Sequence, residues 1–89
     1  MVILQIKKKW FDMILSGEKK EEYRDIKPYY TSRFPANPYN FYVKFKNGYA
    51  KDAPFFIARC NLRVGYGKPE WGAKLNTQYF VLDILEVKK

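Results

Sequence analysis

Between Phe56 and Val64 the chain alternates with period two, Ala58, Cys60, Leu62 and Val64 against Arg59, Asn61 and Arg63. Such a run predicts a strand with one face buried and the other, here basic, in water. Phe41, Val43 and Phe45 alternate with Lys44 and Lys46, and Asn47-Gly48 predicts a two-residue hairpin leading into a strand at Tyr49-Ala50-Lys51. Tyr79 to Val87, mostly apolar and β-branched or aromatic with Asp83 as its odd member, predicts a closing strand. Val2 to Ile6 does not alternate cleanly, because Ile3 is apolar too; this pattern predicts a central strand covered on both faces.

The period changes from Lys8 to Ser16. Trp10, Met13 and Ile14 fall at helical spacing, Phe11 and Leu15 repeat it one residue on, and Gly17 stands where a left-handed C-terminal cap is expected. Lys20 to Ile26 then reads as a strand with Lys20, Glu22, Arg24 and Ile26 on one face and Glu21, Tyr23 and Asp25 on the other. Pro28 ends that ladder. A helical turn is expected within Tyr29 to Phe34, followed by a loop at Pro35 and Pro38, and Gly65 to Gly72 reads as a second loop. These elements predict one α+β domain over residues 1–89, mainly β, with five or six strands and one short helix between the first two. Curling the sheet into a small barrel would protect its edges.

Composition narrows the chemistry. At 89 residues the chain has room for one core. No apolar run approaches the ~20 residues of a membrane-spanning helix, so no membrane partner is expected. The basic run Lys7-Lys8-Lys9 follows the first apolar stretch, the reverse of a secretory signal, which makes the cytoplasm the expected location. There is no histidine and only one cysteine, Cys60, in apolar surroundings that predict a buried thiol. Histidine-dependent nucleophile systems and the usual zinc sites are therefore excluded, and neither a metal nor an organic cofactor is expected. Seventeen basic against nine acidic residues give a net charge of +8, which favours a polyanionic partner.

The densest cluster of candidate chemistry is Gly17, Lys19, Glu22, Tyr23 and Arg24. Glu22 and Arg24 share a strand face, and Lys19 leaves the preceding turn with a side chain long enough to reach it. In an enclosed pocket Arg24 would hold Glu22 ionised, while burial beside Arg24 would lower the Lys19 pKa. The same residues could also merely neutralise one another at the mouth of a barrel. A second group is basic and aromatic: Arg59 and Arg63 on one strand face, with Tyr66, Lys68 and Trp71 in the loop that follows. Such residues hold phosphate and stack unpaired bases, although Trp71 could equally plug the barrel end. A third, Tyr29, Tyr30 and Arg33, follows directly on the first and could cover it, whereas Phe34, Phe41 and Phe45 read as core.

From Lys9 to Tyr30 the chain resembles the ASCH domain family, a small branch of the PUA-like superfamily with the signature G-x-K-x-x-E-x-R, matched here by Gly17, Lys19, Glu22 and Arg24. The likeness continues more loosely through Val64-Gly65-Tyr66-Gly67 and the last strand. It implies a PUA-like β-barrel that binds RNA or a modified nucleoside, RNA more readily than DNA, with a monomer as the default state. Relatives credited with amidohydrolase action on acetylated cytidine pair the lysine with a threonine three residues later and a more distant glutamate. Here Glu22 stands at the threonine position, and Glu70 is the nearest counterpart of the glutamate. The resulting expectation is a binding module whose basic groove is floored by Gly17 to Arg24. The alternative is a small amidohydrolase or ribonuclease using Lys19, Glu22 and Tyr23.

Overall fold

Alternation over Phe55–Tyr66 produces the twelve-residue strand on which the sheet is built, with Phe56, Ala58 and Cys60 pointing into the core. In the computed structural model, which describes residues 1–88, this strand is β4. It pairs antiparallel with β3 (Phe41–Lys46) on one side and β5 (Gln78–Lys88) on the other. β1 (Val2–Gln5) runs parallel to β3, and β2 (Glu21–Arg24) runs antiparallel to β5, giving the order β1-β3-β4-β5-β2. The sheet curls into a half-barrel, and a register shift at Arg59/Cys60 adds to its local twist. α1 (Lys8–Leu15) links β1 to β2 and sends Phe11 and Ile14 into a core shared with Leu4, Val43, Phe45, Phe56 and Leu82.

The two ends of the sheet meet at a seam. β1 and β2 are edge strands with the rest of the sheet between them, yet the Arg24 Nη2 on β2 donates to the Gln5 carbonyl on β1 at 2.7 Å. A side chain thus bridges what a ladder would otherwise close. Edge strands carry unpaired backbone groups, and this bond satisfies one of them.

The expected α+β, mainly β architecture, with one helix between the first two strands, is what forms, with five strands. Several boundaries differ for identifiable reasons. β1 is an edge strand, not a central one, and Ile3 is 54% exposed. The strand covered on both faces is β5, where adjacent Val81 and Leu82 are both fully buried. Leu82 faces the main core, and Val81 lies under a second cluster made with Tyr23, Ala73 and Tyr79. The β3–β4 hairpin is wider than the two residues expected, and Tyr49 to Lys51 form no strand. Asn47 N–H reaches across to the Pro54 carbonyl, and its side-chain amide is committed to the Ile6 carbonyl. β2 stops at Arg24, short of the expected Ile26. α2 is a single turn, Pro28–Thr31, opened by proline at its first position, and the glycine-rich loop contains a 3-10 turn over Pro69–Trp71. Among the described residues no helix is long and apolar enough to cross a membrane.

Cys60 has the buried position its sequence context predicts, and burial raises its thiol from the ordinary 9.0 to about 12. Below pH 9 the thiol is protonated folded and unfolded, so it takes nothing from stability. Between pH 9 and about 12 only the unfolded chain ionises, and stability falls as pH rises, with a limiting slope of about 1.4 kcal/mol per pH unit. Urea unfolding across that window should show a shallower alkaline decline in Cys60→Ala than in wild type. Identical slopes would show that Cys60 ionises as freely folded as unfolded.

Candidate functional site

The site begins where α1 ends. Ser16 closes the helix and Gly17 takes φ +87°, a left-handed conformation that side chains disfavour even though open space surrounds it. Lys19 N–H then donates to the Met13 carbonyl at 2.9 Å, which folds the chain back beneath the helix and turns the Lys19 side chain inward. Lys19 is 1% exposed. Its Nζ donates to the Trp71 carbonyl at 2.7 Å, lies 3.3 Å from Glu22 Oε1, and stands 5.0 and 4.8 Å from the ring centres of Trp10 and Tyr23. Burial pulls the ammonium below the usual lysine range, against the opposing attraction of Glu22.

Strand periodicity sets Glu22 and Arg24 on one face of β2. Glu22, 6% exposed, accepts from Arg24 through one oxygen, from Nη2 at 2.7 Å and from Nε at 3.2 Å. Arg24 Nη1 reaches the Tyr30 hydroxyl at 3.4 Å, while Nη2 also holds the Gln5 carbonyl. Burial works against the Arg24 charge, but Glu22 and the hydrogen bonds outweigh it and hold the guanidinium above its ordinary range. One carboxylate therefore serves two enclosed cations. The three groups carry a net charge of +1 and tie together the end of α1, β2, the 3-10 turn and, through Gln5, β1.

Above this cluster the seam opens into a cleft of about 510 Å³. Glu22 and Arg24 lie at its base, Trp10, Tyr30 and Trp71 contribute aromatic wall, and Lys7 and Lys27 bring exposed cations. Gln5, Ile6, Tyr23, Asp25 and Gly72 complete the lining. Lys9 and Lys68 are outside the lining but sit 4.6 and 4.5 Å over the rings of Trp10 and Trp71, which belong to it. The Lys19 amine lies behind the lining. No family model, curated protein or solved structure matches this chain.

The fold thus gathers Lys19, Glu22, Tyr23, Arg24, Tyr30 and Trp71 from the expected residues, with Gly17 shaping the turn. Others lie apart. Arg33 stacks on Tyr29 at 3.6 Å and donates to its carbonyl, and it borders a different hollow with Met1 and Phe41. Arg59 bonds Asn40 at 2.7 Å and pairs with Glu86 at 3.6 Å, outside the cleft lining. Arg63 is clamped by Asp83 at 2.9 Å and Glu21 at 3.1 Å. Tyr66 is exposed at the end of β4, and Glu70 is exposed in the 3-10 turn.

Tyr23 has a positioning part. Its hydroxyl donates to Glu21 at 2.8 Å and accepts from the Lys68 N–H at 2.9 Å, anchoring the loop that delivers the Trp71 carbonyl to Lys19. Burial, foremost, raises its pKa above the ordinary tyrosine value. Gly67 has to be glycine there, since a Cβ would stand 2.5 Å from the Tyr23 ring. Gln5, Trp10 and Lys27 line the cleft without having been singled out for it from the sequence. One signal was available for Trp10: a helix that starts so soon after β1 must place its first turn beside the end of that strand. Among the described residues no cluster of histidine, cysteine, aspartate or glutamate is arranged to hold a metal ion.

The trio's energetics differ by member. Glu22→Gln leaves two enclosed cations without their counter-ion, which costs about 3–5 kcal/mol. Lys19→Met leaves Glu22 and Arg24 paired and strips one donor from the Trp71 carbonyl, for a loss of about 1–3 kcal/mol. Urea denaturation should rank Glu22→Gln as the more damaging. The reverse order would mean that Lys19, not the carboxylate, is the centre of the cluster.

Proposed function

We propose that this chain is an RNA-recognition module of the ASCH type, with a PUA-like barrel, that receives an unpaired nucleobase in the seam cleft and holds the flanking phosphates on the lysines around it. The observation that carries this reading is the company Glu22 keeps in the cleft. The Glu22 carboxylate, held in place between two enclosed cations, offers a hydrogen-bond acceptor for base N–H groups, and beside it Trp10 and Tyr30 offer aromatic surface. Lys7, Lys9, Lys27 and Lys68 supply the attraction for phosphate. Single-stranded RNA is favoured over a duplex, because only an unstacked base can enter a cleft of this size.

The competing reading, an amidohydrolase or ribonuclease using Lys19 as base or nucleophile, needs an amine that can touch substrate. The Lys19 Nζ is enclosed, already donates to the Trp71 carbonyl and is paired with Glu22. Its lowered pKa is explained by burial. The Tyr23 hydroxyl is likewise occupied. Lys19 is therefore read as the support of Glu22.

A salt-resolved titration tests the proposal. With about four phosphates neutralised, log affinity for single-stranded RNA should fall against log salt with a slope of about −3, and Lys7→Ala/Lys27→Ala should reduce that slope by about 1.4. Trp10→Ala should weaken binding by about 1–3 kcal/mol through lost stacking. Salt-independent association would remove the phosphate part of the reading. Turnover of acetylated cytidine or cleavage of the RNA, abolished by Lys19→Met, would replace a binding module with an enzyme.

A further inference from the structure

Strand alternation sends Leu4, Val43, Phe45, Phe56 and Ala58 into the core, and α1 adds Phe11 and Ile14 from that same side. The intervening positions of β1, β3 and β4 form the outer face of the sheet. A solvated sheet face is ordinarily polar. This one holds Ile3, Tyr42 and Phe55 at 54%, 41% and 53% exposure, so two aromatic rings stand in water on it.

The rings are interleaved with cations. Lys46 stands opposite Phe55, Lys44 opposite Ile57 and Tyr42 opposite Arg59, while Ile57 faces Lys88 on β5. Lys44 Nζ lies 4.1 Å over the Phe55 ring, and Lys88 Nζ lies 5.7 Å from the centre of Tyr42. Arg59 and Lys88 share one carboxylate, Glu86, at 3.6 and 3.7 Å. Among the described residues no carboxylate pairs with Lys44 or Lys46. The face is therefore aromatic and electropositive together, which suits an anion that also carries flat rings.

This face adjoins the seam cleft. Gln5, Ile6 and Lys7 line the cleft and also a second hollow of about 280 Å³, which Gly48 and Tyr49 complete. Gln5 is in register with Lys46, and Lys46 with Phe55, so the hollow leads from the cleft to the first ring. Arg59 lies four residues beyond Phe55 on β4, which puts Tyr42 about 14 Å further along the strand direction, with Lys44 between the rings.

Resting on the nucleobase reading above, we infer that single-stranded RNA leaving the cleft passes Gln5 and Tyr49 onto the outer sheet face, where Phe55 and Tyr42 stack two further bases and Lys46 and Lys44 hold the phosphates between them. An open sheet bearing aromatic rings stacks unpaired bases without base-specific contacts. The alternation of ring and cation along one line matches a polymer in which base and phosphate alternate.

The test measures binding of the full chain to a uridine dinucleotide, which fills the cleft alone, and to a uridine dodecamer, which reaches the face. Tyr42→Ala/Phe55→Ala should weaken the dodecamer by about tenfold or more and leave the dinucleotide unchanged, whereas Trp10→Ala should weaken both. Lys44→Ala/Lys46→Ala should make the salt slope for the dodecamer shallower by about 1.4, which tests the face without touching either ring. An unchanged dodecamer affinity and salt slope in these two variants would overturn the outer track, while a loss in Trp10→Ala left the cleft reading standing. Equal losses for both lengths in Tyr42→Ala/Phe55→Ala would also overturn it, since the face would then act through the cleft. A loss in the face variants with none in Trp10→Ala would uphold the face and overturn the cleft. Polyglutamate bound as tightly as the dodecamer, with the same sensitivity to Tyr42→Ala/Phe55→Ala, would assign the face to an acidic protein and overturn the RNA track. Absence of binding to both RNAs would overturn both readings.

Discussion

One carboxylate between two enclosed cations sets the terms for the rest of this molecule. An isolated charge cannot be taken out of water without a large penalty, and paired charges are tolerated only when geometry and further hydrogen bonds compensate. Glu22 meets that condition with Lys19 and Arg24, and each cation extends the bond to a different part of the fold. Lys19 reaches the 3-10 turn through the Trp71 carbonyl, and Arg24 reaches β1 through the Gln5 carbonyl. Three separate stretches of the chain, β1, the run from Lys19 to Arg24 and the 3-10 turn, are thereby referred to one side chain. A hydrophobic trio of similar volume could fill the same space, but it would leave the Trp71 and Gln5 carbonyls without their donors.

The outer surface tells against a simple reading of net charge. Of the cations expected to form a basic face, Arg59 and Arg63 are matched with Glu86, Asp83 and Glu21. Arg63 in particular belongs to a chain of contacts through Glu21 and Tyr23 to Lys68, which supports the loop behind the cleft. Exposed lysines stand beside the cleft and also away from it, at Lys20, Lys51 and Lys74, so the excess of +8 is not confined to the cleft.

Much of the architecture was legible because it is written in local periodicity. The runs that became β3, β4 and β5 and the helix ending at Gly17 each declare their period within a few residues. The position of β1 was not legible, because three consecutive apolar residues suit either a doubly covered strand or an edge strand with one exposed isoleucine, and only the parallel partner β3 decides between them. Asn47-Gly48 misled in a related way: its turn propensity is local, but the Asn47 amide is held by Ile6 from another strand. The convergence of Lys19, Glu22 and Arg24 followed from strand alternation and side-chain reach. The cleft above them did not, since it depends on two strands at opposite ends of the sheet order meeting across a seam, and no spacing within either strand records that meeting.

The pairing of β2 with β5 has a consequence for the order in which the molecule is made. β2 finds its only ladder partner in the last strand of the described chain, and Val81 and Leu82 of that strand complete both hydrophobic clusters. A chain emerging from the ribosome therefore carries Lys19, Glu22 and Arg24 in water, as ordinary exposed charges, until nearly all of the domain has been synthesised. Their desolvation is deferred to the final collapse, when the longest-range contacts form and the entropic cost of loop closure is highest. The nascent domain holds its site open and solvated, and acquires it in one late step together with its core.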